Sequence, residues 1–294
     1  MKVGFIGLGR MGQGMAGRIV AAGHDLVVTD PMPEQLAALV DAGAVAADSP
    51  AAASQGRDVI ISMLPSDKIL DIVLHGDNGL IEHMPDNCIH MASGTHGVAA
   101  VNAAKDAHAK AGQTFMACPV LGRPDLAAEG LLKLVPAGPP AAVDTVRPLL
   151  DVIGQQNFEV GTSPQAAAAV KIANNFVLGC AIETMGEALS LVEKLGVEPE
   201  LFYKVMTEGL FAAPAYDIYG RFIVDKSWDS HGATAVIGLK DADLALEAAK
   251  TVDVPLPSLN AWRTYLQSAV DKGEGHLDWA VMAKEQARAS GLDD

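Results

Sequence analysis

The sequence predicts a doubly wound α/β domain, joined by one long helix to an all-helical domain. Three observations predict it. Short apolar runs alternate with helical patterns over the first half of the chain, the glycine turn "GLGRMG" joins the first run to the first helix, and a helical pattern of unusual length follows "GTSP" at 161–164. The apolar runs are "KVGFIG", "DLVVTD", "AVAA", "DVIISMLP", "NCIHMAS", "TFMACPV" and "KLVPAG", and helical patterns such as "MGQGMAGRIVAAG" and "PEQLAALVDAG" separate them. Strands that take turns with helices pair in parallel through crossovers, which gives a doubly wound sheet. After the Ser-Pro start signal, "QAAAAVKIANNFVLGCAIETMGEALSLVEKLG" reads as one helix closed by Gly196, and only helical patterns follow it. The expected division is 1–162 for the α/β domain and 163–294 for the helical one.

Bulk composition narrows the function. Half of the 294 residues are apolar, enough for two real cores. A net charge of -15 repels phosphate backbones and anionic lipid, so neither nucleic acid nor membrane is an expected partner. The three cysteines, Cys88, Cys118 and Cys180, are widely spaced and form no C-x-x-C pair, which fits small core residues in a reducing compartment. With a strand starting almost at the first residue and no uninterrupted apolar stretch of spanning length, the expectation is a soluble cytoplasmic protein.

The glycine turn carries the first chemistry. Gly7-Leu8-Gly9-Arg10-Met11-Gly12 lies between a strand and a helix, the setting of the Rossmann dinucleotide fingerprint. The first glycine permits the tight turn, the second lets backbone approach a pyrophosphate, and the third lets helix and strand pack closely. The helix N-terminus adds N–H donors and positive dipole. Alone, G-x-G-x-x-G also suits a turn built for packing; here the second strand ends at Asp30, eighteen residues after Gly12, where a carboxylate can accept from a ribose diol. Asp30 repels a 2'-phosphate, and Pro31 and Met32 supply no cation to clamp one. NAD is therefore the expected cofactor, with NADP the other dinucleotide the fold admits and Arg10 the residue that could favour it.

Two loops follow strands at the carboxyl edge of the sheet, where open α/β sheets bind ligands. Met63, Leu64 and Pro65 open "MLPS", which by itself reads equally well as a strand end with a turn proline. Ser93, Gly94 and Thr95 lie in "MASGTHG", whose hydroxyls and backbone amides suit a carboxylate or a carboxamide. Inside the long helix, Lys171 and Asn175 of "VKIANN" stand one turn apart on one face among Ala, Val, Ile and Phe. Read alone, such a lysine snorkels to the surface more often than it works in a cleft. His90, His96 and His108 have no metal-ligand spacing, so no metal site is expected. Tyr216 and Tyr219 suit either a cleft lining or packing, and Trp228, Trp262 and Trp279 suit core or interface anchors.

Taken together, "GFIGLGRMGQGMA", "MLPS", the Ser93 loop, "CPVLGRPDLAAEGLLKLVPAG", "KIANN" and "LKDADLA" resemble the β-hydroxyacid dehydrogenase family over essentially the whole chain. That resemblance implies a nucleotide-binding domain, a helical domain and a homodimer or homotetramer acting on a small carboxylate substrate. It assigns the catalytic acid/base to Lys171, a holding role to Asn175 and a place near the nicotinamide to Lys240. The expected chemistry is reversible hydride transfer between the cofactor and a semialdehyde or keto acid; an imine reductase and a non-catalytic dinucleotide sensor on the same scaffold are the alternatives.

The chain also departs from the family pattern. Where members carry D-x-S-T and P-V-S-G-G segments, Ser93 survives, but Gly94 replaces threonine, Gly97 a proline, Leu121 the second serine and Arg123 the second glycine. Gly122 and Arg123 are still candidate substrate contacts, Arg123 either as a bidentate carboxylate clamp or as a solvent-facing side chain.

Overall fold

The computed structural model describes residues 1–229 and 232–292, which form two compact units, 1–171 and 172–294. In the first unit six strands make a parallel sheet: β1 (Lys2–Ile6), β2 (Asp25–Thr29), β3 (Val45–Ala46), β4 (Val59–Ser62), β5 (Ile89–Ala92) and β6 (Thr114–Ala117). Their order is β3-β2-β1-β4-β5-β6, so the chain reverses direction of winding between β1 and β4. Val3 to Ile6, Val59 to Ser62 and Ile89 to Ala92 are buried, the continuous burial expected of central strands covered on both faces. The crossovers carry α1 (Arg10–Ala21), α2 (Ala37–Asp41), α3 (Pro50–Ser54), α4 (Asp67–His75), α5 (Leu80–His83) and α6 (Val98–Lys110).

Helix α1 buries Gly12, Met15, Ala16 and Ile19, the i, i+3, i+4, i+7 stripe that faces a sheet. It stops where Gly23 takes a left-handed φ of 81° and its N–H bonds back to Val20. At α4 the Ser66 hydroxyl accepts from the N–H of Ile69, an N-cap that fixes where the loop after β4 ends.

Beyond β6 the pattern differs from the single parallel sheet that alternation predicts. β7 (Val120–Leu121), α7 (Pro124–Glu129), β8 (Leu132–Leu134), α8 (Pro140–Ile153) and β9 (Gly154–Asn157) follow, and the three strands form a separate sheet in the order β7-β8-β9. β7 and β8 are antiparallel because only the short α7 joins them, whereas α8 is long enough to return the chain parallel. Helix α7 lies against α1: a Cβ on Gly14 would stand 2.7 Å from the backbone of Ala128 and 2.8 Å from that of Ala127. Gly14, just beyond the glycine turn, is thus a packing requirement.

The long helix is α9 (Pro164–Lys194). Its first turns put Ala167 and Ala168 into the core of the first unit. Its length and apolar composition are those of a helix able to cross a membrane, and Asn175, Glu183 and Ser190 are buried on it. The second unit continues with α10 (Pro199–Glu208), α11 (Pro214–Val224), α12 (Ala235–Thr251), α13 (Pro257–Asp271) and α14 (Val281–Ala289). Its helices interlock through glycines set against large side chains: Gly179 on Trp262, Gly238 on Trp279, Gly220 on Tyr203. Trp262 and Trp279 are core residues, and the Trp279 indole N–H donates to the Tyr219 hydroxyl at 3.0 Å. Cys88 and Cys118 are fully buried, and burial pushes both thiols up to about 12, so neither is a nucleophile at neutral pH.

Two buried polar features give the units opposite pH dependence. In the first unit Ser62 Oγ, His90, His108 and Gln113 form a buried chain with links of 2.8, 2.9 and 2.8 Å, ending on the Met84 carbonyl. Desolvation holds His90 well below the usual histidine range and brings His108 to about 4. In the second unit both oxygens of buried Glu183 lack a hydrogen-bond partner, and desolvation, with Glu187 adding to it, raises its carboxyl to about 8.

The unfolded chain takes up the histidine protons near pH 6.5 and the folded chain does not. Stability of the first unit therefore falls below pH 6.5, by about 1.4 kcal/mol per pH unit for each histidine. For Glu183 the sign reverses: its contribution is complete below pH 4.5 and is lost as pH rises toward 8. Accordingly, Glu183→Gln is expected to raise the urea midpoint at pH 8 and leave it unchanged at pH 4. Tryptophan fluorescence reads this change separately, because all three tryptophans lie in the second unit. Far-UV circular dichroism should show the acid loss in the wild type and a shallower slope in His108→Asn.

Candidate active site

In the first unit the carboxyl ends of β1, β4 and β5 bring three predicted segments together. Gly7, with φ of 91°, turns the chain out of β1, and its N–H donates to the Thr29 carbonyl at 3.1 Å. A Cβ on Gly7 would lie 2.5 Å from the Met63 carbonyl, and one on Gly12 would overlap the Gly7 carbonyl. These two glycines are fixed by packing. Gly9 is different: a Cβ there would meet no atom within 4 Å, and the residue is exposed. Protein packing does not explain it, while close approach of a ligand to the first turn of α1 does.

Asp30 sits against this turn. One carboxylate oxygen accepts from the Leu8 N–H at 2.7 Å and the other from the Met32 N–H at 2.9 Å, so its charge is held at the edge of the glycine loop. The residues present thus fit a dinucleotide: an open glycine and the uncapped N–H groups of a helix N-terminus for the pyrophosphate, an oriented carboxylate for the ribose.

The next two segments adjoin through Leu64 and Gly94. A Cβ on Gly94 would stand 2.5 Å from the Leu64 carbonyl and 2.6 Å from His96 Nε2. The Ser93 N–H donates to the Ser62 carbonyl at 2.8 Å; the Ser93 hydroxyl is buried and has no partner. Asp67 ties the loops together, accepting from His96 Nδ1 at 2.9 Å and from the Gly97 N–H at 3.1 Å. Sequence reasoning missed Asp67 and His96, since an Asp and a His nearly thirty residues apart carry no local signal.

Gly122 and Arg123 follow β7 directly. Gly122 has φ of 144°, and Arg123 is the N-cap residue of α7. The Arg123 guanidinium faces Asp125 with contacts of 2.8 and 3.3 Å, and the pairing holds the Asp125 carboxyl below its usual range. The guanidinium is thus paired with a carboxylate two residues on, at a partly exposed position.

Lys171 is half-buried on α9 within the first unit. In the second unit the same helix carries Asn175, whose Nδ2 donates to Asp241 Oδ2 at 2.6 Å, and Lys240 Nζ stands 3.0 Å from Asp241 Oδ1. Asp241 is buried and joins the two candidate residues Asn175 and Lys240 directly. It was in plain view in "LKDADLA", but adjacent charges at a helix start carry no sign of a partner sixty-six residues away. Among the described residues no group of His, Cys, Asp and Glu is placed to hold a metal.

Comparison with known proteins decides the family. Residues 2–161 match the model described as the NAD binding domain of 6-phosphogluconate dehydrogenase. Residues 166–285 match the one described as NAD-binding of NADP-dependent 3-hydroxyisobutyrate dehydrogenase. The chain belongs to the β-hydroxyacid dehydrogenase family. Among family members, an uncharacterized oxidoreductase of Bacillus subtilis is 39% identical over 97% of this chain and 99% of its own. The 3-hydroxyisobutyrate dehydrogenase of Pseudomonas aeruginosa is 30% identical over 96% and 97%. The crystal structure of a 3-hydroxyisobutyrate dehydrogenase from Salmonella typhimurium superposes with a TM-score of 0.86 at 26% identity, covering 97% of this chain and 99% of that one. Imine reductases share the fold at a lower score, 0.63 for one from Pseudomonas sp.. The protein is an NAD(P)-dependent oxidoreductase of the β-hydroxyacid dehydrogenase type.

The distinct constraints on the glycines are separable by experiment. Gly9→Ala is expected to weaken NADH binding at least about tenfold with little change in Tm, because the added methyl meets ligand and not protein. Gly12→Ala should instead lower Tm by several degrees, because its methyl meets backbone. Fluorescence titration and thermal melts of both variants check this.

Proposed function

We propose that the protein reversibly transfers hydride between NAD(H) and a small semialdehyde or keto acid, or the matching hydroxy acid, with Lys171 as general acid/base. One observation carries the reading: Lys171 and Asn175 stand one turn apart on a continuous helix, and buried Asp241 fixes the Asn175 amide. The bound nicotinamide supplies or receives the hydride. During carbonyl reduction, negative charge grows on the substrate oxygen, and the Lys171 ammonium stabilises and then protonates it. In oxidation the neutral amine removes the hydroxyl proton, which requires the amine to titrate nearer neutrality than a free lysine.

One Asn175 N–H is committed to Asp241 and its carbonyl oxygen accepts from Asn174 Nδ2 at 3.4 Å, so its second N–H is what it offers to substrate. The second N–H would bind a substrate oxygen, and Lys240, held beside Asp241, is the residue that the family resemblance assigns to the nicotinamide end of the cofactor. Ser93, Gly94 and Thr95 form the substrate loop, with Gly122 and Arg123 contributing from β7. Because Asp125 neutralises Arg123, this arginine binds a substrate carboxylate only in competition with Asp125. Gly7 to Gly12, Asp30 and the Met63-Leu64-Pro65 segment hold the cofactor.

Asp30 favours NAD, since the carboxylate at the glycine turn would face a 2'-phosphate with like charge. The catalytic form is a homodimer or homotetramer: Val177, Leu191, Leu195, Leu201 and Val205 leave apolar surface along α9 and α10, all more than half exposed. Three unpaired thiols suit the reducing cytoplasm.

Assay of the protein with NADH against glyoxylate, semialdehydes and cyclic imines tests this reading. Turnover of an oxo acid supports it, turnover of imines alone replaces it, and cofactor binding without turnover refutes catalysis. Lys171→Ala should lower kcat by at least about a thousandfold while the NADH Kd stays within twofold. A wild-type pH–rate profile without a group between neutrality and the free-lysine range would contradict the acid/base role. Asp30→Ala is expected to shift the ratio of kcat/KM for NADH over NADPH toward NADPH by about tenfold or more, from loss of a charged hydrogen-bond partner.

A further inference from the structure

The loop after β5 is held by something the activity has not so far used. Asp67, the first residue of α4, sends its carboxylate across to the next loop. There it accepts from His96 Nδ1 at 2.9 Å and from the Gly97 N–H, 3.1 Å from each carboxylate oxygen. Gly97 is the N-cap residue of α6, so the carboxylate lies at the N-termini of two helices, a setting that favours negative charge. A carboxylate acceptor at Nδ1 fixes a proton on that nitrogen.

The imidazole is 2% exposed, and Nε2 has no partner. It occupies the space beside Gly94 that a side chain at 94 would take, and Gly94 in turn closes to within contact of the Leu64 carbonyl. The ring therefore stands beneath the backbone of the Ser93–Gly97 loop, fastened at one end to the segment that follows "MLPS". The Asp67 bonds tie both the imidazole of His96 and the backbone of Gly97 to the start of α4, and their loss would leave a buried imidazole nitrogen without its carboxylate partner.

We propose that Asp67 and His96 act as one positioning unit that sets the conformation of the Ser93–Gly97 loop and thereby the enzyme's affinity for its carbonyl substrate. The role rests on the proposed reading of that loop as a substrate contact. It does not touch the reacting atoms. It also accounts for the departures at 94 and 97 together: a glycine at 94 leaves room for the ring, and an N–H at 97, which proline lacks, completes the carboxylate contact.

Steady-state kinetics of Asp67→Ala, His96→Ala, the double variant and His96→Asn test the unit. His96→Asn retains an N–H donor near the place of Nδ1. The alanine variants should raise KM for the carbonyl substrate about tenfold, with kcat and the NADH Kd within about threefold. The double variant should be no worse than the poorer single one, and His96→Asn should recover KM to within about threefold of wild type. The proposal is overturned if His96→Ala has the wild-type KM, if His96→Asn is as impaired as His96→Ala, or if KM, kcat and NADH Kd all worsen together.

Amide hydrogen exchange read by mass spectrometry gives an answer independent of turnover. Asp67→Ala should accelerate exchange in the segment spanning 93–97 about tenfold and leave β1 and α1 unchanged; unchanged exchange at 93–97 overturns the clamp. If the wild type reduces nothing in the substrate panel yet this acceleration occurs, the proposed activity fails while the positioning unit stands.

Discussion

The architecture depends on how closely the first helix can approach the first strand. Gly12 has no room for even a methyl group beneath it, because the Gly7 carbonyl already fills that space, and Gly7 is similarly pressed by the Met63 carbonyl. This double constraint pins the start of α1 over the carboxyl ends of β1 and β4, where the sheet changes its direction of winding. Everything that follows uses the resulting edge. Asp30 reaches the Leu8 amide, Leu64 meets Gly94, and Ser93 hangs from Ser62, each by a backbone contact that a looser turn would lengthen.

In the proposed reading, rigid elements carry the reactive groups and backbone carries the ligand contacts. Lys171 and Asn175 are on a helix of 31 residues, where their separation is set by helical geometry and not by a loop. Asp241 adds a second fixed point, since its two oxygens meet Asn175 and Lys240 from a different helix. A carboxylate buried in this way is stable only because both its partners are polar, and the arrangement restricts the amide to one orientation. The glycine turn shows the opposite economy of means: of Gly7, Gly9 and Gly12, only Gly9 leaves main chain exposed.

What the sequence disclosed followed the reach of its signals. Period-two runs, the glycine turn and the acid after the second strand are local patterns, and each led to the right element, from β1 through Asp30. The family resemblance added Lys171 and Lys240, which spacing alone could not separate from surface lysines. Contacts between distant segments left no such trace. The second sheet was invisible because β7 has two residues and pairs through a short helix, and Gly14 looked like an extra glycine until α7 was seen against it. The partners of Asn175, His96 and Arg123 are likewise set by tertiary packing, and the asymmetry between Gly9 and its two neighbours is a matter of empty volume that no pattern of letters expresses.

The uncompensated carboxyl in the middle of α9 has a wider implication when set beside the histidine chain. Acid loosens the half that contains the sheet; raising the pH toward the mildly alkaline side loosens the helical half. The balance of stability between the two units therefore moves with pH: a sour medium weakens the cofactor half relative to the helical half, and a basic one does the reverse.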